Sequence, residues 1–239
     1  MENNLKKIIK NAKKIVFFGG AGVSIASGIP DFRSKTGLYQ IKSEYGASYE
    51  EMLSHTYFIE HTNIFYDFYK KKMIYLDALP NDAHKALAKL EQSGKDITII
   101  TQNIDGLHQK AGSKKVYELH GSIHRNYCVS CHKFYDAYDI MKMKGTPYCS
   151  CGNLIKPDVV LYEESLDNNT IKKSVQAIMN ADVMIVAGTS LNVYPAAGLI
   201  QYFNGNKLII INKEITNQDS YADIVIHDDL CKILKEAID

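Results

Sequence analysis

The 239-residue chain has no tryptophan, and Arg33 and Arg125 are its only arginines among 28 basic side chains. The 28 basic residues meet 27 acidic ones for a formal net charge of +1. That balance argues against a general affinity for nucleic acid or for an anionic membrane surface. No apolar run reaches the ~20 residues needed to cross a bilayer. The opening MENNLKKIIKNAKK alternates charge with single apolar residues and lacks the apolar stretch of a secretory signal. Together these absences predict a cytoplasmic protein without membrane or specific nucleic-acid partners. Cysteine is sparse, but four of the five fall between Cys128 and Cys151. Where thiols stay reduced, such a cluster points to a metal and away from disulfides.

What is present is a series of short, nearly continuous apolar runs: KIVFFGG, DITIITQN, KVYELHG, DVVLY, ADVMIVAGTS, KLIIIN and ADIVIH. Such runs suit strands buried on both faces of a parallel sheet. Helical patterns alternate with several of them. NDAHKALAKLEQSG closes on Gly94, and NNTIKKSVQAIMN places Ile171, Val175, Ile178 and Met179 on one face. The fold class expected is α/β, a doubly wound Rossmann-like parallel sheet.

Two stretches break the rhythm. Residues 38–75 carry Tyr and Phe at helical spacing, which predicts an aromatic-packed helical module. Residues 121–156 carry the cysteines in the pattern Cys128-x2-Cys131-x17-Cys149-x-Cys151. Paired cysteines on two tight turns can close a tetrahedral shell around one structural Zn2+, leaving no open position for water. A redox dithiol at Cys128 and Cys131 would leave the second pair unexplained. Residues 1–37, 76–120 and 157–239 are then expected to form a discontinuous Rossmann-like domain. The helical and zinc modules would make a smaller second domain. Cys231, in an apolar C-terminal pattern, reads as a buried small hydrophobe.

GGAGVSIASG follows the first strand and is expected to open a helix, with backbone N–H groups near Gly20, Ala21 and Gly22 able to receive a pyrophosphate. The absence of Gly-Lys-Ser/Thr excludes a Walker A loop. The adjoining SGIPDFRS is too polar for a core, and Phe32 beside Arg33 offers an aromatic face and a phosphate-binding fork. In TQNIDGLH, the residues Gln102, Asn103, Asp105 and His108 crowd the carboxyl end of a strand, where open α/β sheets bind ligands. His120 stands at another strand end and suits a general base.

GAGVSIASGIPDFRS, TQNIDGLH, LHG, the four-cysteine module, KPDVVLYEE and GTSLNVYPAAG, in this order, resemble the sirtuin family of NAD-dependent protein lysine deacylases, most closely the small bacterial ones. The resemblance spans about residues 15–230. It implies that NAD is consumed as co-substrate, with Ala21, Gly22, Ser24 and Ile25 at its pyrophosphate. Phe32 would guard the nicotinamide pocket, and Arg33 would order a mobile loop. Asn103, beside Gln102, would position the nicotinamide ribose and a water, while Ile104 and Asp105 hold the carboxamide. His120 would be the catalytic base. Gly188, Thr189 and Ser190 would approach the ribose of the cofactor, with Asn212, Lys213, Asp229 and Leu230 near the adenosine. The substrate peptide would lie between two strands, Val159, Val160, Leu161 and Tyr162 on one side and Asn192, Val193 and Tyr194 on the other. The implied chemistry moves the acyl group of an acyl-lysine to ADP-ribose through an alkylimidate, releasing nicotinamide, free lysine and O-acyl-ADP-ribose.

Departures from the family pattern mark this chain. Ile25 replaces a Thr or Ser. Glu163 stands where Gly is usual, which would favour basic residues beside the target lysine. The Tyr-x-x-Arg signature of succinyl-preferring relatives is missing after Tyr45, so a small neutral acyl group is expected. The competing readings are a protein ADP-ribosyltransferase, an NAD glycohydrolase and a non-catalytic NAD-binding scaffold. Retention of His120 and of TQNID speaks against all three. A monomer is expected.

Overall fold

The computed structural model describes residues 2–31 and 46–238. In chain order, α1 (Glu2–Asn11) leads into β1 (Lys14–Gly19), and two short 3-10 turns follow at Ala21–Val23 and Ile25–Ser27. Next come α2 (Tyr49–Met52), α3 (His55–Glu60), α4 (Thr62–Lys72) and α5 (Asp82–Gln92). The middle of the chain forms β2 (Asp96–Thr101), α6 (Leu107–Lys110), β3 (Val116–Glu118), β4 (Gly121–Cys128), β5 (Phe134–Tyr135) and α7 (Ala137–Lys142). The last part holds β6 (Ile155–Val159), α8 (Asn168–Met179), β7 (Val183–Ala187), β8 (Lys207–Ile211), β9 (Ile224–Ile226) and α9 (Leu230–Ile238).

Six strands form one parallel sheet in the order β3-β2-β1-β7-β8-β9. Its central strands are apolar on both faces because helices cover both. Leu5, Ile9, Leu87, Leu90, Ile233 and Leu234 seal one face, while Ile178, Leu199 and Ile200 seal the other. The order reverses at β1, which lies between β2 and β7. Open sheets bind ligands at such a switch point, outside the carboxyl ends of the strands. The register makes that rim even: Gly19 pairs with Thr101 and Ala187, and Ala187 with Ile211.

A second, three-stranded antiparallel sheet has the order β5-β4-β6. Its core joins Ile123, Cys128, Ile140 and Ile155 to Phe58, Phe65, Tyr66, Phe68 and Tyr69 of α3 and α4. The aromatic spacing read from the sequence thus packs the helical module onto the cysteine-bearing one. Complete burial of Phe65 and Phe68 contributes about 1.5–3 kcal/mol each.

Three expectations are corrected. The DVVLY run does not join the parallel sheet: Ile155–Val159 pairs antiparallel with β4 at a sheet edge, where Pro157 is tolerated. A short apolar run carries no information about which sheet it enters. The glycine loop opens no α-helix. Gly22 is tied to the carbonyl of Gly188 at 2.8 Å, and a segment of Gly, Val, Ser and Ile has little helical propensity to resist that tie. Met179 is 53% exposed, whereas Ser174 is buried. At about 100° per residue the buried stripe centres between Ser174 and Val175, which leaves Met179 to one side.

Candidate active site

The residues after β1, β2 and β7 converge because their strands end on one line. They form one side of a cavity of about 300 Å³; the other side comes from the small sheet and the helical module. Gly20, Ala21 and Ser24 line it from the first loop, Gln102, Asn103, Ile104 and Asp105 from the second, and Gly188, Thr189 and Ser190 from the third. His120 faces them.

The loops lock one another. Ser24 Oγ donates to Asp105 Oδ2 at 2.6 Å, and Asn103 Nδ2 donates to Ser24 Oγ at 3.1 Å. Gln102 Nε2 donates to Thr189 Oγ1 at 3.0 Å. The other oxygen of Asp105 accepts from Leu107 N at 2.9 Å, so the same carboxylate starts α6. A cradle open to a ligand's phosphates requires that backbones approach closely. A Cβ at Gly22 would lie 2.7 Å from Gly188 Cα, and one at Gly20 would lie 2.7 Å from Thr189 Cβ. These bare glycine turns at the switch point fit a dinucleotide.

His120 Nδ1 lies 2.9 Å from the carbonyl oxygen of Gln102. A carbonyl only accepts, so Nδ1 carries the proton and Nε2 keeps its lone pair. Burial pulls the pKa of His120 below the ordinary histidine value, against the Gln102 hydrogen bond, which raises it. The imidazole is therefore neutral near pH 7, as a proton acceptor must be.

His108 is placed differently from the sequence expectation. It does not line the cavity but lies buried in α6 against Phe17 and His84, 4.7 Å from His84 between ring centroids. The first turn of a helix following Gly106 carries its side chain under the loop and away from the crevice. Burial, opposed by the charge of Asp105, lowers the pKa of His84 to about 4, and burial, aided by the neighbouring His84, lowers that of His108 well below its ordinary value. As pH falls below about 6.5 the unfolded chain takes up these protons before the folded one does. Stability is thus full above pH 6.5 and is lost toward pH 4, with a limiting slope of about 1.4 kcal/mol per pH unit for each histidine. Urea midpoints measured from pH 7.5 to 4.5 should fall accordingly; a His84→Gln, His108→Gln protein that kept the full slope would exclude these two groups as its source.

Of the two segments expected to flank a substrate, residues 160–162 run on from β6 outside any strand, and residues 192–194 form none. Val159 ends β6, and Val160 N donates to the carbonyl of His120 at 3.0 Å. Tyr162 N donates to Leu53 O, and its own carbonyl accepts from His55 N. Residues 192–194 form no ladder, and of these Val193 and Tyr194 line the cavity whereas Asn192 does not. Glu163 has φ +75°, a left-handed conformation that favours glycine. Its carboxylate accepts from Thr56 N at 2.9 Å and Thr56 Oγ1 at 2.7 Å, which ties the segment to the start of α3.

Other expected residues lie outside the cavity lining. Gly22 sits behind the loop, and Ile25 is exposed. Asn212, Lys213, Asp229 and Leu230 gather beyond β8 and at the start of α9, where Lys213 Nζ pairs with Asp229 Oδ2 at 3.2 Å. Phe32 and Arg33 lie outside the described residues. Sequence reasoning missed Asn81, whose Nδ2 donates to Val23 O at 2.7 Å and Ser27 Oγ at 3.0 Å while its Oδ1 caps α5. A polar residue after Pro80 and before a helical pattern was the available sign. Leu53, Met73 and Tyr75, which extend the cavity wall, carried none.

The sulfurs of Cys128, Cys131, Cys149 and Cys151 lie within 4.8 Å of one another. The pairs Cys128–Cys151, Cys131–Cys149 and Cys131–Cys151 are 3.4, 3.5 and 3.6 Å apart. Zinc at 2.3 Å from each sulfur of a tetrahedron would space them by about 3.8 Å. Tyr135 Oη donates to Cys149 Sγ at 3.2 Å, the kind of outer contact that orients a ligand. The four cysteines can hold one zinc ion.

The Sir2 family model matches residues 20–195. A curated NAD-dependent protein deacetylase of Clostridium acetobutylicum is 59% identical over 238 residues, covering 99% of this chain and 97% of that protein. A second, from Staphylococcus aureus strain COL, is 48% identical over 231 residues, with 97% and 95% covered. Among solved structures, a Sir2 His-to-Ala variant with deacetylated p53 peptide and 3'-O-acetyl-ADP-ribose superposes with a TM-score of 0.91 at 36% identity, covering 99% of both chains. A Sir2 complex with a p53 peptide and NAD+ gives a TM-score of 0.87 at 37% identity, covering 98% of this chain and 96% of that one.

Proposed function

The chain belongs to the Sir2 family and is an NAD-dependent protein deacetylase of the sirtuin type, and on that premise we propose how its residues divide the work. When bound, NAD supplies the ADP-ribosyl group that receives the acyl group, with nicotinamide as leaving group. Bound acyl-lysine peptide would lie along residues 159–162 and 192–194. Gly20, Ala21 and Ser24 hold the pyrophosphate end, Gly22 letting the loops close behind them and Ile25 standing at the rim, and Gly188, Thr189 and Ser190 face the ribose. Phe32 and Arg33 complete the cofactor loop. Asn212, Lys213, Asp229 and Leu230 hold the adenosine end. Asp105, ordered by Ser24 and by Leu107 N, meets the carboxamide together with Ile104, while Asn103 and Gln102 fix the nearby ribose and water. His120 accepts a proton at Nε2 because Nδ1 is committed to Gln102 O.

The observation that carries this reading is the meeting of His120, Asn103, Asp105 and Ser24 in one cavity at the strand switch point. We further propose the domain division 1–37, 76–120 and 157–239 against 38–75 and 121–156, with the last boundary moved beyond Val159 because β6 belongs to the small sheet, a monomeric state, and a cytoplasmic location. Among the described residues no helix is long and apolar enough to cross a membrane.

The test is product analysis. An acetyl-lysine peptide incubated with the protein and NAD should yield deacetylated peptide, nicotinamide and O-acetyl-ADP-ribose in equal amounts by mass spectrometry. Free ADP-ribose beside intact acetyl-peptide would mean glycohydrolysis, and a peptide heavier by ADP-ribose would mean transfer.

A further inference from the structure

Arg125 is one of only two arginines in the chain, and it stands on β4 facing the junction of the two sheets. Its Nε donates to Asp158 Oδ2 at 2.6 Å and its Nη1 to Glu118 Oε2 at 2.7 Å. Glu118 is the last residue of β3 in the six-stranded sheet, with a side chain only 10% exposed. Its other oxygen accepts from Gln109 Nε2 at 2.8 Å. Asp158 belongs to β6 of the small sheet. One guanidinium therefore spans the two sheets.

Between the residues it joins runs Leu119–His120–Gly121. Leu119 N is bonded to Thr101 O on the large-sheet side, and the His120 carbonyl accepts from Val160 N on the small-sheet side. Gly121, at φ +75°, is pressed against the strand of Asp158; a Cβ there would lie 1.9 Å from the Asp158 carbonyl oxygen. The backbone of His120 thus runs between two strands that the arginine also bridges.

We propose that Arg125 is a positioning residue, which holds His120 at the cavity and keeps the 159–162 segment in register with it. The proposal rests on the reading of His120 as the base. A planar fork suits this role, since it can direct separate donors at two carboxylates at once, whereas a lysine presents a single flexible point charge. Small displacements of a reacting group reduce turnover steeply, by as much as ~100-fold for ~1 Å.

The test measures deacetylation of an acetyl-lysine peptide, thermal midpoint and the pH dependence of kcat for Arg125→Gln, Arg125→Lys, Asp158→Asn and the Arg125→Gln/Asp158→Asn double variant. Arg125→Gln should lower kcat about tenfold or more and move the acidic limb of its pH profile, with NAD affinity unchanged. Arg125→Lys should restore the melting temperature but only part of kcat. The double variant should lose little beyond Arg125→Gln alone, because the two groups act as one unit. An Arg125→Gln protein with reduced melting temperature but wild-type kcat and pH limb would reduce the bridge to a structural tie and overturn the proposal. Complete recovery of kcat by Arg125→Lys would overturn it as well. If Arg125→Gln fails to fold, Arg125→Lys and Asp158→Asn decide the matter by the same readouts. His120→Ala, assayed in parallel, separates the two levels: retained turnover there would sink the base assignment itself, whereas a dead His120→Ala beside an unaffected Arg125→Gln would sink only the positioning role.

Discussion

Replacing His120 with Ala should lower kcat for deacetylation by about 10²–10⁴-fold, the usual worth of a positioned general base, while the protein remains folded and binds NAD. The structural cost should be small. Among the described residues the imidazole makes one hydrogen bond, to the Gln102 carbonyl at a cavity wall, and water in the vacated volume can replace it. Loss of activity with an unchanged melting temperature would accordingly report chemistry and not folding. The wild-type pH profile supplies a second check. Only the neutral imidazole accepts a proton, and burial lowers its pKa. Activity should therefore rise with pH along a limb lying below the ordinary histidine value of about 6.5 and level off above it. A limb well above that value would assign the ionisation to another group. A His120→Ala enzyme with near-normal turnover would remove His120 from the mechanism.

Metal removal should have the other large effect. The protein is expected to carry one zinc per chain, and Cys128→Ser, or a strong chelator, should lower the melting temperature by about 10 °C or more. Cys128 is completely buried among the aromatics shared by the small sheet and the helical module, so an unfilled site disturbs a core and not a surface loop. Turnover should fall with it, although four thiolates leave the ion no position for substrate. The reason is continuity: β4 begins at Gly121, immediately after His120, and ends at Cys128. Loosening one end of that strand releases the other. Metal content by mass spectrometry, melting temperature and activity should track one another across a chelator titration. A metal-free protein that melted and turned over like the untreated one would refute the structural role.

The large sheet was legible because its strands are buried on both faces, and continuous apolar runs leave few other readings. The cysteine cluster was legible because ligand chemistry constrains spacing. DVVLY was read into the wrong sheet, since a five-residue apolar run is silent about its partner, and the antiparallel pairing of Val159 with Gly121 decides it. In the site, polar residues just past strand ends, Gln102 through Asp105, were legible from position alone. His108 was not, because whether a side chain lies above or beneath a loop depends on the helix that follows. Nor were Leu53, Met73 and Tyr75, ordinary apolar residues brought to the cavity by tertiary packing. Glu163 was visible as an oddity, but its partner Thr56 lies 107 positions away and had no local sign.

The even carboxyl rim of the parallel sheet also determines where this molecule tolerates alteration. Because Gly19, Thr101, Ala187 and Ile211 lie in register, a residue inserted within any of those strands would displace its loop by about 3.3 Å and turn its side chains to the opposite face. The far rim, where Lys14, Asp96, Val183 and Lys207 begin the strands, bears no such constraint. The turn at Gly94, which its φ of +92° reserves for glycine although nothing lies within 4 Å of an added Cβ, is on that side. Fluorophores, affinity handles and surface-coupling groups belong there, on the blind side of the sheet, where the length and chemistry of an attachment are decoupled from the reaction.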